Sequence, residues 1–104
     1  MPSVDISKVT KRRSNSATRS LRLYVAGNAP NSLRAIANAR AICEDQGSSR
    51  FELEIVNVLQ HPKRALADGI IVTPTLLKLS PAPIQRMVGD LSDRNQVLQT
   101  LGSK

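Results

Sequence analysis

The stretch LRLYVAGNAPNS, residues 21–32, predicts a β-strand, a tight turn and the start of a helix. Its first residues alternate: Arg22 and Tyr24 separate the apolar residues Leu21, Leu23 and Val25. This pattern is typical of a strand with one buried face. Gly27 closes this strand, because glycine adopts the backbone angles of tight turns without steric cost. The stretch therefore joins a strand directly to the element that follows it.

A helix follows the turn and extends to Gly47. Pro30 suits the first helical turn, and Asn31 and Ser32 offer side-chain oxygens to the free backbone N–H groups there. The apolar residues downstream recur at helical spacing and predict one buried stripe, formed by Leu33, Ile36, Ala39, Ile42 and Cys43. Gly47 ends the helix in a left-handed conformation.

The rest of the chain predicts a second strand, a short helix, two extended segments and a final helix. Their predicted positions are Phe51–Val58, Lys63–Asp68, 70–79 interrupted by Pro74, Ile84–Val88 and Asp93–Leu101. We expect Ser92 to cap the final helix. The first three elements form a βαβ unit with a right-handed crossover. The whole order, βαβ–α–ββ–α, predicts an α/β, thioredoxin-like domain.

Charge divides the chain into a basic arm, residues 1–20, and a folded domain, residues 21–104. The net charge is +7, but residues 1–22 hold six basic groups and one acidic group, against nine and seven in the remainder. We interpret the arm as a flexible, solubilising extension; a basic arm that binds nucleic acid by counterion release stays an alternative. With no Trp and one Tyr, an aromatic platform for single-stranded nucleic acid is not expected.

Several classes of site are not expected. A single cysteine, Cys43, excludes an intramolecular disulfide framework and fits a reducing compartment. A single histidine, His61, argues against a structural zinc site. We find no phosphate-binding glycine loop, no secretory signal and no apolar run of membrane-spanning length. The sequence therefore predicts a cytoplasmic protein without metal or cofactor.

Two landmarks of the thioredoxin-like scaffold show that its redox chemistry is missing. If Pro30 takes the place of the proline in a Cys-Gly-Pro-Cys motif, Asn28 and Asn31 occupy the two cysteine positions. Asparagine forms no thiolate, so dithiol–disulfide exchange is excluded there. Pro74 matches the second landmark, a proline opposite this turn that is often cis. Cys43 is predicted to be a core residue, and we therefore expect a binding module and not an enzyme.

Four motifs closely resemble the KaiB family, and they occur in the family's order and spacing. They are residues 21–32, Val56-Asn57-Val58-Leu59, Thr73-Pro74-Thr75-Leu76 and Gly89-Asp90-Leu91-Ser92-Asp93-Arg94. The match runs without a gap over residues 21–101, although an aspartate is more usual at Asn57. Each motif alone is weak, and the four together are specific.

This resemblance implies a non-catalytic protein that docks on a KaiC-like ATPase, in a circadian or stress-signalling system. It also implies KaiA or a SasA-like kinase as further partners, and self-association to a dimer or tetramer. Members of the family switch between a tetramer-forming ground-state fold and a monomeric thioredoxin-like fold that binds KaiC. The shared half would be residues 21–60 and the changing half residues 61–101.

The resemblance also suggests which residues bind the partner and where this chain departs from the family. Arg34 and Arg86 match basic positions of the docking surface, whereas Glu54 replaces a lysine and would disfavour an acidic partner patch. The basic arm is extra, and the chain stops at Lys104. We expect the short C-terminus to favour the thioredoxin-like fold. A thioredoxin-like adaptor or sensor domain with other signalling partners remains an alternative function.

Overall fold

Alternating helices and strands follow the predicted order in the computed structural model, which describes residues 18–47 and 50–101. The elements of this part of the chain are β1 (Arg19–Val25), α1 (Pro30–Asp45), β2 (Phe51–Asn57), α2 (Pro62–Ala67), β3 (Thr75–Ser80), β4 (Gln85–Val88) and α3 (Arg94–Leu101). The predicted α/β, thioredoxin-like element order is therefore confirmed.

The four strands form one mixed sheet in the order β2-β1-β3-β4. The long crossover through α1 makes β1 and β2 parallel, whereas β3 runs antiparallel to both β1 and β4. The register aligns one row across all four strands: Glu54, Arg22, Leu77 and Arg86.

The strand alternation supplies the sheet with two apolar faces. Leu21, Leu23 and Val25 pack in one cluster with buried residues of α1 and α3. Tyr24, between them in sequence, faces the opposite side and packs with Val56, Ala65 and Leu77 beneath α2. Because successive strand residues point to opposite faces, the domain is a three-layer arrangement with α2 alone on its side among the described helices.

The start of α1 differs from the prediction. No side chain caps this helix, whose N-cap residue is Ala29. The Ser32 hydroxyl is buried and accepts a hydrogen bond from the backbone N–H of Ala26 at 3.0 Å, so it stabilises the preceding turn. Leu33, predicted in the buried stripe, is half-exposed, and Ala35 is buried on that face of the helix.

The start of α3 differs as well. Asp93 Oδ1 accepts a hydrogen bond from the backbone N–H of Gln96, which is the capping interaction predicted for Ser92. The backbone N–H of Ser92 instead donates to Asp90 Oδ1 at 3.0 Å. The prediction of Ser92 as the cap was wrong by one residue, because both residue types suit that position.

The structure refines the starts of two strands. β1 begins at Arg19, two residues before the predicted start, and the Arg19 guanidinium donates to the carbonyl of Leu101 at 2.8 Å. Residues 1–17 of the predicted arm lie outside the described residues. β3 begins only after Pro74, as expected for a residue that donates no backbone hydrogen bond. The Thr73–Pro74 bond is cis, as are Ser80–Pro81 and Ala82–Pro83.

Candidate functional site

The turn after β1 is connected to the loop after β2. Gly27 has a φ of +54°, and its backbone N–H donates to Asn57 Oδ1 at 3.0 Å. The same oxygen accepts from the backbone N–H of Leu59 at 3.0 Å. A Cβ atom at Gly27 would lie 3.2 Å from Leu59 Cδ1, so both the angle and the space favour glycine. The Asn57 side chain thus fixes two adjacent loops at one end of the sheet.

The predicted landmarks lie at this end of the sheet. Asn28 and Asn31 are exposed on the turn and first helical residues, and Asn31 Oδ1 accepts a hydrogen bond from Arg34. Pro74 is buried, and its carbonyl accepts from the backbone N–H of Gly89 at 3.0 Å. Both asparagines thus lie on the turn after β1 and the start of α1, the positions at which the sequence predicts the missing redox pair.

Cys43 is a core residue, as predicted. Its side chain packs in the cluster between α1 and the sheet and is 9% exposed. Burial raises the pKa of the Cys43 thiol, so the group stays protonated at neutral pH and is a poor nucleophile. Among residues 18–47 and 50–101, no group of three histidine, cysteine or carboxylate side chains is placed to hold a metal ion. No helix in the described part of the chain is long and apolar enough to cross a membrane.

Arg34 connects α1 to the loop before α3. Its guanidinium pairs with Asp90 Oδ2 at 3.3 Å, and the Asn38 amide donates to the Asp90 carbonyl at 2.8 Å. Hydrogen bonds from Ser92 and from Arg34 lower the pKa of the Asp90 carboxyl. The Arg34 side chain remains 57% exposed, so it can still reach a partner.

Glu54 and Arg86 lie on the α2 side of the sheet, at opposite edges of the row defined above. Arg34 belongs to the other layer, because α1 packs on the opposite face. The structure therefore brings two of the three predicted partner-binding residues onto one face and leaves the third on the other.

Glu54 is bound by two arginines that the sequence analysis did not single out. Glu54 Oε1 lies 2.9 Å from Arg22 Nε, and Glu54 Oε2 lies 2.8 Å from the Arg64 guanidinium. The hydrogen bond from Arg64, followed by that from Arg22, lowers the pKa of the Glu54 carboxyl to about 2. The Glu54 carboxylate, which the sequence predicts to face a partner, is thus paired with two arginines of the same chain.

Tyr24 and Asp68 form the second half of this arrangement. The Tyr24 hydroxyl donates to Asp68 Oδ2 at 2.6 Å, and Arg22 Nη1 lies 2.9 Å from the same oxygen. Burial and then the hydrogen bond to Asp68 raise the pKa of Tyr24, whose side chain is fully buried. The bonds from Tyr24 and Arg22 lower the pKa of Asp68. The alternation placed Tyr24 on a sheet face, but nothing local indicated a partner 44 residues away.

Arg86 binds the end of α2. Its guanidinium donates to the carbonyl of Gly69 at 3.0 Å and to that of Asp68 at 3.1 Å. These carbonyls follow Ala67, the last residue of the helix, so Arg86 holds the turn in which α2 ends. We call the residues that join α2 to the sheet the α2 contact network: Arg22, Tyr24, Glu54, Arg64, Asp68 and Arg86.

Exposed apolar side chains concentrate at the end of the sheet where β1, β2 and β4 end and β3 begins. Among residues 18–47 and 50–101, five of the seven large exposed apolar residues lie there, and we call them the apolar rim: Leu33, Leu59, Ile71, Val72 and Val88. Ile71 is 91% exposed and Leu59 is 72% exposed. Single exposed apolar residues are common, whereas a group of them at one end indicates a contact surface.

Sequence comparison relates this chain to proteins of circadian clocks. The family model of the KaiB domain matches residues 22–103. The circadian clock oscillator protein KaiB of Prochlorococcus marinus (strain MIT 9313) is 50% identical over 78 residues, which are 75% of this chain and 66% of that protein. KaiB of Rippkaea orientalis (strain PCC 8801 / RF-1) is 47% identical over 78 residues, 75% of either chain.

Two solved structures show where the fold recurs. The N-terminal domain of Synechococcus elongatus SasA superposes with a TM-score of 0.69 at 27% identity, covering 86% of this chain and 88% of that domain. Chloroplastic thioredoxin z superposes with a TM-score of 0.71 at 17% identity, covering 93% of this chain and 85% of the thioredoxin. The second likeness concerns the fold alone.

Proposed function

The chain belongs to the KaiB family, and from this premise we propose that it is a non-catalytic component of a KaiB/KaiC-type regulatory system that docks on a KaiC-like ATPase. The relatives named as circadian clock oscillator proteins, about half identical in sequence, support this proposal. KaiA or a SasA-like kinase would be further partners, and the likeness to the SasA domain favours competition for one site.

The observation that carries the proposal is the apolar rim on a thioredoxin-like scaffold. Stable interfaces bury roughly 800 Å² on each partner, and their centres are apolar with few charges. The rim provides such a centre, and the exposed Arg34 lies beside it in the first turns of α1. Glu54 and Arg86 would contact the ATPase at the margin, after exchanging their bonds within the α2 contact network.

The test is direct binding to the purified KaiC-type ATPase encoded in the same genome, measured by biolayer interferometry. We expect Ile71→Ser to weaken binding roughly tenfold or more, as the loss of a central apolar contact does. Ile84→Ser is the matched control, because Ile84 is 64% exposed and precedes β4 at the opposite end of the sheet. Failure of the unmodified chain to bind at saturating ATPase would overturn the proposal.

Variants that remove a positive charge, together with a deletion of the arm, distinguish this proposal from binding through the basic arm. Arg34→Gln should weaken ATPase binding, whereas Arg40→Gln, an exposed arginine farther along α1, should not. Deleting residues 1–17 should leave ATPase binding intact. Affinity for nucleic acid that collapses with salt and with this deletion would favour the basic-arm alternative.

The non-catalytic part of the proposal has its own test. We expect no disulfide reduction above background in an insulin-reduction assay, and no change in Cys43→Ser, because the buried thiol is held protonated. Turnover that disappears in Cys43→Ser would show a thiol enzyme instead.

A further inference from the structure

Helix α2 buries very little apolar surface against the sheet. It is six residues long, and Ala65 is its one buried residue. Leu66 in the same helix is 77% exposed. A helix of this length does not form in isolation, so its position depends on contacts with the sheet. One buried methyl group supplies about 1 kcal/mol by transfer out of water, which leaves most of the attachment to polar contacts.

Those polar contacts are charged and lie at both ends of the row of sheet residues. Arg64 on the helix pairs with Glu54, and Asp68 after the helix pairs with Arg22 and accepts from Tyr24. Arg86 donates to two carbonyls at the helix end from the opposite edge. Their ion-paired side chains are 25–47% exposed. Salt can therefore screen these pairs, as it screens surface charges generally.

The surface beneath α2 is apolar and buried. Val56 and Leu77 are each 2% exposed, and the ring of Tyr24 lies between them in the sheet. The segment is bounded by His61 before Pro62 and by Gly69, whose φ of +69° ends the helix turn. Displacement of this segment alone would uncover an apolar strip on the middle of the sheet.

We propose that residues 62–69 form a flap held on the sheet mainly by charge, which opens locally as ionic strength rises and exposes the strip beneath it. The flap is a property of the free chain and does not depend on the proposed ATPase docking. Glu54 is its central residue, because its carboxylate joins a sheet arginine to a helix arginine. Salt also screens the repulsion among Arg22, Arg64 and Arg86, which by itself favours the closed flap, and we expect the weakening of their direct attractions at 2.8–3.1 Å to outweigh it.

Amide hydrogen exchange followed by NMR tests the flap. Between about 0.01 M and about 1 M KCl the Debye length falls from ~30 to ~3 Å. Over that range we expect exchange at the amides of Asp68, Gly69 and Ile70, which bond within the segment, to accelerate roughly tenfold by local opening. The amides of β1 should change little. Equal acceleration in β1 and the flap, or none in the flap, would overturn the proposal.

Two variants with one matched control assign the effect to Glu54. Glu54→Gln should give fast flap exchange already at low salt and a flatter salt dependence, and Arg64→Gln should do the same more weakly. Asp45→Asn removes a comparable charge from the ion pair with Arg94 on the other face and should leave the flap unchanged. Tyr24 is the sole tyrosine in a chain without tryptophan, so its ultraviolet spectrum gives a second, independent reading of opening. If Asp45→Asn accelerates the flap as much as Glu54→Gln does, general destabilisation is the cause and the proposal fails.

Discussion

Tyr24 performs two tasks with one side chain. Its ring fills the cluster under α2, and its hydroxyl donates to Asp68, which lies just after that helix. Burying a hydroxyl without a hydrogen-bond partner costs free energy, and the bond to Asp68 offsets this cost for Tyr24. The same bond, at 2.6 Å to a carboxylate, is of the stronger, charge-assisted kind.

Replacing Tyr24 by phenylalanine keeps the ring and removes this bond. We expect Tyr24→Phe to lower the free energy of unfolding by about 1 to 2 kcal/mol, as measured by urea denaturation, since the bond is charge-assisted and only partly exposed. The double variant Tyr24→Phe/Asp68→Asn should be less destabilised than the sum of the two single variants. Strict additivity would show that the two groups do not interact in solution.

At the scale of elements, the ends of helices depend on single capping residues. The sequence predicts the positions of these residues to within one or two. Asp93 and Ser92 both have capping side chains, and only the path of the chain out of the loop decides between them. That loop places Leu91, two residues before Asp93, at a φ of +67° and buries it in the core. We infer that the packing of Leu91 determines which of the two residues lies at the helix start.

The two capping candidates give a prediction with its own control. Asp93→Ala should lower the free energy of unfolding by about 1 kcal/mol through loss of the cap, measured by urea denaturation. Ser92→Ala, one residue earlier, should have a smaller effect because this variant keeps both the Asp93 cap and the backbone N–H that donates to Asp90. A larger loss in Ser92→Ala would restore the assignment made from sequence.

At the scale of the whole molecule, acid sensitivity follows from carboxylates that are paired in the folded chain. Glu54 has a folded-state pKa of about 2 against an ordinary value of 4.5, and the pKa values of Asp68 and Asp90 are also lowered. Such groups stabilise the folded state above their unfolded pKa values, and this contribution disappears as pH falls. The free energy of unfolding should therefore decline from about pH 4.5 toward pH 2.

Denaturation with urea at a series of pH values checks this decline. In Glu54→Gln the curve should be shallower between about pH 4.5 and 2, because one proton-linked group has been removed. Asp45→Asn serves as the comparison, since the Asp45 carboxylate is 59% exposed in its ion pair and lies on the other face. An unchanged slope in Glu54→Gln would mean that the carboxylate is not paired in solution.

Much of the fold could be predicted from the sequence because its signals are local. Alternation along β1, the helical spacing of α1 and the glycines at turns each report on a few neighbouring residues. The position of Pro74 and the asparagines at positions 28 and 31 likewise follow from spacing alone. The partner-binding roles of Arg34, Glu54 and Arg86 rest on resemblance, and they stay predictions, as does the boundary of the basic arm.

Local patterns in the sequence were enough to establish the order of elements, the family and the absence of thiols from the turn after β1. The packing of α2 on the sheet, in contrast, brings Glu54 and Arg86 to that segment, leaves Arg34 in the other layer and allows Tyr24 to bond to Asp68. The physical reason is sequence separation: the α2 contact network joins residues 10 to 46 positions apart. No local pattern encodes which of 15 basic and 8 acidic side chains will meet once the sheet has set their register.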